Sequence, residues 1–150
     1  MSTSTFTSST PPSLNQKLRQ AKLRLLKMHY EAKVGHIGGN LSCLDSLMTL
    51  FHTFSNPQVV LSKGHAAGAL YVTLWSCGIL SEDELKTFHS NGTRLAGLPA
   101  PGFIPEIPFA TGSLGHGLSL ATGIALGKKL QNQNSPTFCV TSDEIGRAHV

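Results

Sequence analysis

The sequence predicts an α/β fold, a parallel sheet flanked by helices, and three observations carry that prediction. Two short runs, QVVLS and PTFCVTSD, are apolar and β-branched, as buried parallel strands are. Segments of helical periodicity alternate with them, the order expected of a sheet that binds ligands at the carboxyl ends of its strands. At 150 residues the chain suffices for one domain, or part of one, and is too short for two well-cored domains.

Residues 1–13, MSTSTFTSSTPPS, are rich in Ser and Thr, hold no basic residue and offer no apolar stretch of signal-peptide length. They read as a flexible tail, and a transit peptide is disfavoured because the first arginine is Arg19. Ser13 then caps a helix. Behind it Leu14, Leu18, Ala21, Leu25 and Met28 recur at spacings of three and four, one apolar face that Gly35 breaks. His36-Ile37-Gly38-Gly39 reads as a turn. A second helix is expected from near Ser42, carrying Leu44, Leu47, Met48 and Phe51 and closing at Asn56-Pro57.

The strand QVVLS comes next, followed by the helix-like KGHAAGALYVTLWSCGIL. Ser81 and Glu84 form a capping-box pair that opens a short surface helix. In GLPAPGFIPEIP, the prolines at 99, 101, 105 and 108 exclude regular helix and central strand, and loops of such length are usually functional. TGSLGHGLSLATGIALGKKL reads as a glycine-rich turn opening an apolar helix, and PTFCVTSD as a second buried strand ending at a carboxylate.

With 40% hydrophobic and 13% charged residues the chain should fold around a core. The net charge of +4 arises from 12 basic and 8 acidic residues, and the basic ones are spread from Lys17 to Arg147 without a dense patch. Nucleic acid is therefore not the expected partner, whereas phosphate-bearing metabolites are compatible. Cys43, Cys77 and Cys139 cannot all pair and show no C-x-x-C spacing, which fits a reducing, cytoplasmic setting. No run approaches the roughly 20 apolar residues of a membrane span.

Four features carry chemistry. The turn Gly112-Ser113-Leu114-Gly115-His116-Gly117 precedes a helix whose first N–H groups and dipole suit a diphosphate, although an isolated turn of this kind is ordinarily plain turn chemistry. Lys63-Gly64-His65 follows QVVLS, so an ammonium and an imidazole emerge at the ligand-binding edge of the sheet. Taken singly, a solvated lysine and a turn-capping histidine are the ordinary account. His36 stands in a glycine-flanked turn where backbone can crowd a ligand, with an incidental histidine at a helix C-cap the equal alternative. Asp143 ends a strand where a carboxylate either ligates a Mg²⁺ that bridges a diphosphate or caps a helix. His29, His52, His89 and His149 read as surface or packing residues.

Taken in order, GHIGGNLSCLDSL, VVLSKGHAAGALYVTL, GTRLAG, FATGSLGHGLSLATGIALG and FCVTSDE resemble the amino-terminal subunit or domain of transketolases over residues 14 to 144. LSKGHA and TGSLGHG resemble the transketolase forms, which favours that branch over the dehydrogenases and decarboxylases that also use thiamine diphosphate. The resemblance implies a partial thiamine-diphosphate-binding fold over residues 14–143. It implies that His36 faces the substrate and assists proton transfers, that His65 contacts the cofactor diphosphate and reacting centre, and that Lys63 supports the phosphates. Gly112, Ser113 and Leu114 would line the cofactor, and Asp143 would be the first Mg²⁺ ligand, with Ser142 in place of the first glycine of a Gly-Asp-Gly motif.

The activity implied is transfer of a two-carbon ketol unit between sugar phosphates, in a dimeric assembly whose active site lies between two chains. A carboxyl-terminal subunit, or missing carboxyl-terminal domains, would complete it, and this chain alone would be inactive. A non-catalytic assembly partner on the same scaffold is the alternative. Two departures from the family pattern stand out. Gly97-Leu98-Pro99 replaces Gly-His-Pro, and leucine neither transfers a proton nor donates a hydrogen bond. After Asp143 the family continues with Gly-Glu, whereas residues 144–150 are EIGRAHV. One reverse translation, GAG ATC GGA AGA GCA CAC GTC, resembles a common short-read sequencing adapter after its first G, so these residues read as a non-native tail and the gene as continuing.

Overall fold

The computed structural model describes residues 12–142, so Asp143 and the 144–150 segment lie outside the described residues. Helix α1 (Leu14–Ala32) starts on a capping box: Ser13 Oγ accepts from the Gln16 N–H, and Gln16 Oε1 accepts from the Ser13 N–H. Its inner face buries Ala21, Leu25 and Met28, with Arg24 and His29 beside them, while Leu14 remains exposed. The helix is ended by Lys33 rather than Gly35. Lys33 takes the left-handed conformation (φ 58°), and its N–H returns to the carbonyls of His29 and Tyr30.

Helix α2 (Ile37–Thr53) corrects the expected start near Ser42. His36 is left-handed (φ 62°) and reverses the chain by itself, so Gly38 and Gly39 fall inside the first helical turn. Their N–H groups lack intrahelical partners there in any sequence, and the first helical bond, Asn40 N–H to His36 O at 3.2 Å, fixes the turn. Cys43, Leu44, Leu47 and Met48 face inward.

Strand β1 (Gln58–Leu61) leads through a 3₁₀ turn (Gly64–Ala66) into α3 (Ala67–Ser76). Every residue of α3 from Ala67 to Leu74 is buried, because α1 and α2 both pack on it. The short α4 (Glu82–Leu85) carries the expected Ser81–Glu84 capping box. The proline-rich stretch that follows forms neither helix nor strand. It is fastened by Arg94, which pairs with Glu84 and donates to Phe103 O at 3.0 Å, by Tyr71 Oη donating to Ala96 O at 2.9 Å, and by burial of Leu95, Ile104 and Ile107. Burial pushes the Tyr71 phenol well above its usual range. Arg24 reaches α4 from the core, its Nε 2.8 Å from Glu82 Oε1.

Helix α5 (His116–Leu130) then returns the chain to β2 (Thr137–Val140), which lies parallel to β1 in register from Gln58↔Thr137 to Leu61↔Val140. Val59 and Leu61, with their partners Phe138 and Val140, belong to the core that α1, α2 and α3 build. Val60 points to the other face, as strand alternation requires, on the side where α5 packs. The expectation that β2 is buried is not met: all four of its residues are half-buried. Its second edge pairs with no strand among the described residues, and an open cavity of about 640 Å³ runs between it and α2. The three cysteines are free thiols, each with its pKa raised by burial. No helix among the described residues is long and apolar enough to cross a membrane.

Candidate functional site

The carboxyl ends of both strands are joined one step beyond the ladder, where the Ser62 N–H bonds to Val140 O at 2.8 Å. This places Lys63 on one strand exit and Ser142 on the other. Two glycines let the turns meet here by backbone contact. A Cβ on Gly117 would fall 2.5 Å from Ser62 Cβ, so α5 crosses the end of β1 at the closest approach available to a helix. A Cβ on Gly64 would fall 2.7 Å from the Gly112 nitrogen, so the Lys63-Gly64-His65 turn lies directly on the glycine-rich turn that opens α5.

Two clefts share this edge. The first, about 330 Å³, is lined by His36, Gly39, Lys63, His65, Leu114 and Ser142. The second, about 410 Å³, includes His29, His36, His65, His89, Phe88 and Leu98 in its lining. His36 and His65 form the ridge between them, their rings stacked with centroids 4.7 Å apart and planes 27° from parallel. Both are exposed, and Lys63 is half-buried, with its ammonium donating to Ser42 Oγ at 2.8 Å. No carboxylate of the described residues lines either cleft, so Lys63 and the four imidazoles of the two linings have no anionic side chain beside them there.

His36, Lys63, His65 and Leu114 are thus brought together, whereas Gly112 and Ser113 line neither cleft. Gly112 (φ 147°) is packed beneath the Leu98 side chain, and Ser113 Oγ pairs with His116 Nδ1 at 2.9 Å. Asp143 lies outside the described residues, although its neighbour Ser142 lines the first cleft. Among the described residues no three His, Cys, Asp or Glu side chains gather as metal ligands. The described donor set therefore suits a diphosphate but does not by itself make a metal site.

Leu98 stands in the second cleft beside both ridge histidines, so the departure at Gly97-Leu98-Pro99 falls within the site. His89 packs over Gly97, where a Cβ would meet its ring at 2.4 Å. His29 is buried, with Nδ1 3.1 Å from Leu25 O, and burial, against that carbonyl, holds its pKa below the usual histidine value. Sequence reasoning passed over one further residue. Asn40, with no exposed surface, donates to His36 O at 2.9 Å and His65 O at 3.0 Å and accepts from the Ala69 N–H at 2.7 Å. A lone amide in the apolar run of α2 was the available signal, since a buried polar side chain is retained only where it is satisfied.

Comparison with known proteins bears on these motifs. A family model described as the transketolase thiamine diphosphate binding domain matches residues 16–144. The chain is 37% identical over 131 residues to one subunit of an apulose-4-phosphate transketolase from Phocaeicola vulgatus, covering 80% of this chain and 46% of that protein. It is 30% identical over 146 residues to the protein of the same description from Actinobacillus succinogenes, covering 89% and 53%. A 6-deoxy-6-sulfo-D-fructose transketolase subunit from a Clostridium species is 33% identical over 121 residues, covering 73% and 44%. The chain spans about half the length of these curated relatives.

Proposed function

Since the chain belongs to the transketolase family through its thiamine diphosphate binding domain, we propose that it supplies the diphosphate-binding half of an enzyme transferring two-carbon ketol units between sugar phosphates. The observation that carries this reading is the convergence of His36, Lys63, His65 and Leu114 on one carboxylate-free cleft at the carboxyl edge of the sheet. Lys63 and His65 would hold the diphosphate there, assisted by the first turn of α5, which no side chain caps. Bound thiamine diphosphate supplies a nucleophilic carbon and an electron sink for the two-carbon fragment. His36 and His65 exchange protons with the sugar's carbonyl and hydroxyl oxygens, a task suited to exposed imidazoles.

Gly112 and Ser113 shape the cofactor's bed from beneath, Gly112 by giving room to Leu98. Asp143 would hold Mg²⁺. The setting is cytoplasmic and the working unit a dimer, completed by a partner subunit or by carboxyl-terminal domains; the 144–150 segment is read as non-native and the chain alone as inactive. Relatives named for apulose 4-phosphate and for a sulfo-sugar support an anionic sugar as substrate.

Leu98 favours a second reading, a non-catalytic partner on the same scaffold, because it removes a proton-transferring side chain beside His36 and His65. Titration of the full-length gene product, with its partner, separates the two. Magnesium-dependent thiamine diphosphate binding with ketol transfer supports the enzyme. Assembly without either overturns it in favour of the scaffold.

A further inference from the structure

We propose that Asn40 is a positioning residue of this site, fixing His36 and His65 against each other through their main-chain carbonyls. A primary amide offers two donor hydrogens and an acceptor oxygen. Here one hydrogen goes to His36 O at 2.9 Å, the other to His65 O at 3.0 Å, and the oxygen receives the Ala69 N–H at 2.7 Å. The last contact dictates the amide's orientation, because only its oxygen can accept from that N–H. Ala69 lies in the first turn of α3, whose N-cap, Ala66, provides no side-chain bond. One fully buried side chain therefore satisfies the turn before α2, the turn before α3, and α3 itself.

The surroundings are shaped for this amide. His36 holds a left-handed conformation that a side chain other than glycine adopts at a cost, and its carbonyl receives both the main-chain N–H and the side-chain amide of Asn40. Opposite, a Cβ on Gly68 would stand 3.0 Å from Asn40 Oδ1, so α3 leaves room for the oxygen. Aspartate has the shape but no donor hydrogen when ionised, and would set a buried charge against two carbonyls. Serine has one donor hydrogen and a shorter reach. With both turns tied to one amide, the imidazoles they carry stand 4.7 Å apart between the two clefts.

The catalytic consequence rests on the function proposed above, but the geometric claim does not. The test compares the full-length protein, with its partner, as wild type, as Asn40→Ser and as Val72→Ala, a core variant one turn further along α3 that keeps all three of the amide's hydrogen-bond partners. Selectively labelled histidines report through-space contacts between the His36 and His65 rings. Asn40→Ser should lose those contacts and lower kcat about a hundredfold with little change in substrate KM. Val72→Ala should keep both. Ring contacts and kcat that survive in Asn40→Ser as well as in Val72→Ala overturn the proposal.

Should Asn40→Ser fail to fold, the wild type decides. Its Asn40 carboxamide protons must exchange as slowly as buried backbone, and exchange at solvent rates overturns the proposal. If the ring contacts vanish in Asn40→Ser but no variant binds thiamine diphosphate, the positioning role stands and the proposed function falls.

Discussion

Helices α3 and α5 both begin at turns of the site, and both are rich in small and apolar residues, yet their surroundings are opposite. In α3 every residue from Ala67 to Leu74 is buried, whereas in the fifteen residues of α5 only Gly117 and Ala121 are. Leu118, Leu126 and Leu130 of α5 stand exposed, and β2 beside it is half-buried. Apolar composition is therefore shared by the two helices, and among the described residues only α3 is covered on all sides. The largest expected effect tests that contrast. Leu44→Ala, in the core against α3, should cost about 2–5 kcal/mol, while Leu126→Ala should stay within about 0.5 kcal/mol, both read from urea midpoints. Equal losses would mean that the outer face of α5 is covered in solution and the contrast is false.

A pair of glycines within α5 sharpens the same point. Gly117→Ala places a methyl 2.5 Å from Ser62 Cβ and 2.7 Å from Ser62 Cα, where backbone must yield, and should cost about 1–3 kcal/mol. Gly123→Ala meets nothing within 4 Å and should stabilise the chain by about 0.5–1 kcal/mol, since alanine loses less entropy in a helix interior. A Gly117→Ala protein as stable as the wild type would show that α5 does not seat on the end of β1.

The sequence disclosed what depends on local chemistry. Ser13 and Ser81 announce helix starts by their partners three residues on, and QVVL announces a strand by its branching. What it hid depends on contacts between distant segments. The Gly38-Gly39 pair reads as a turn until Asn40 and a left-handed His36 are seen to fix it as helix. That β2 is only half-buried follows from its second edge, which pairs with no strand among the described residues, and no local pattern reports that. His29 reads as a packing or surface residue in the sequence, and only the fold shows it buried against Gly68 and Phe88.

That burial gives the packing of α1 on α3 a response to acid. His29 has its pKa lowered mainly by burial, so its contribution to stability is complete above 6.5 and is lost as pH falls below that value. His52, lowered by burial and by Lys17, acts in the same direction. The urea midpoint should decline below pH 6.5, and His29→Asn should flatten that decline. An unchanged slope would exclude His29 as its source.

The smallest expected effect on stability falls at Leu98, which lines the second cleft and packs on the turn that opens α5. Leu98 is 39% exposed, with its side chain against Gly112 and its loop held by Tyr71 and His89 rather than by its own packing. Leu98→His should therefore change stability by no more than about 0.5 kcal/mol. A strong loss of soluble protein would mean that the leucine is a packing residue and not one that faces the cleft. If instead the variant is stable, it adds an imidazole beside His36 and His65 without moving either. Ketol transfer gained by the full-length Leu98→His protein, where the wild type shows none, would identify leucine as the residue that silences the site. Equal activity in both would show that the reaction makes no use of a proton carrier at this position.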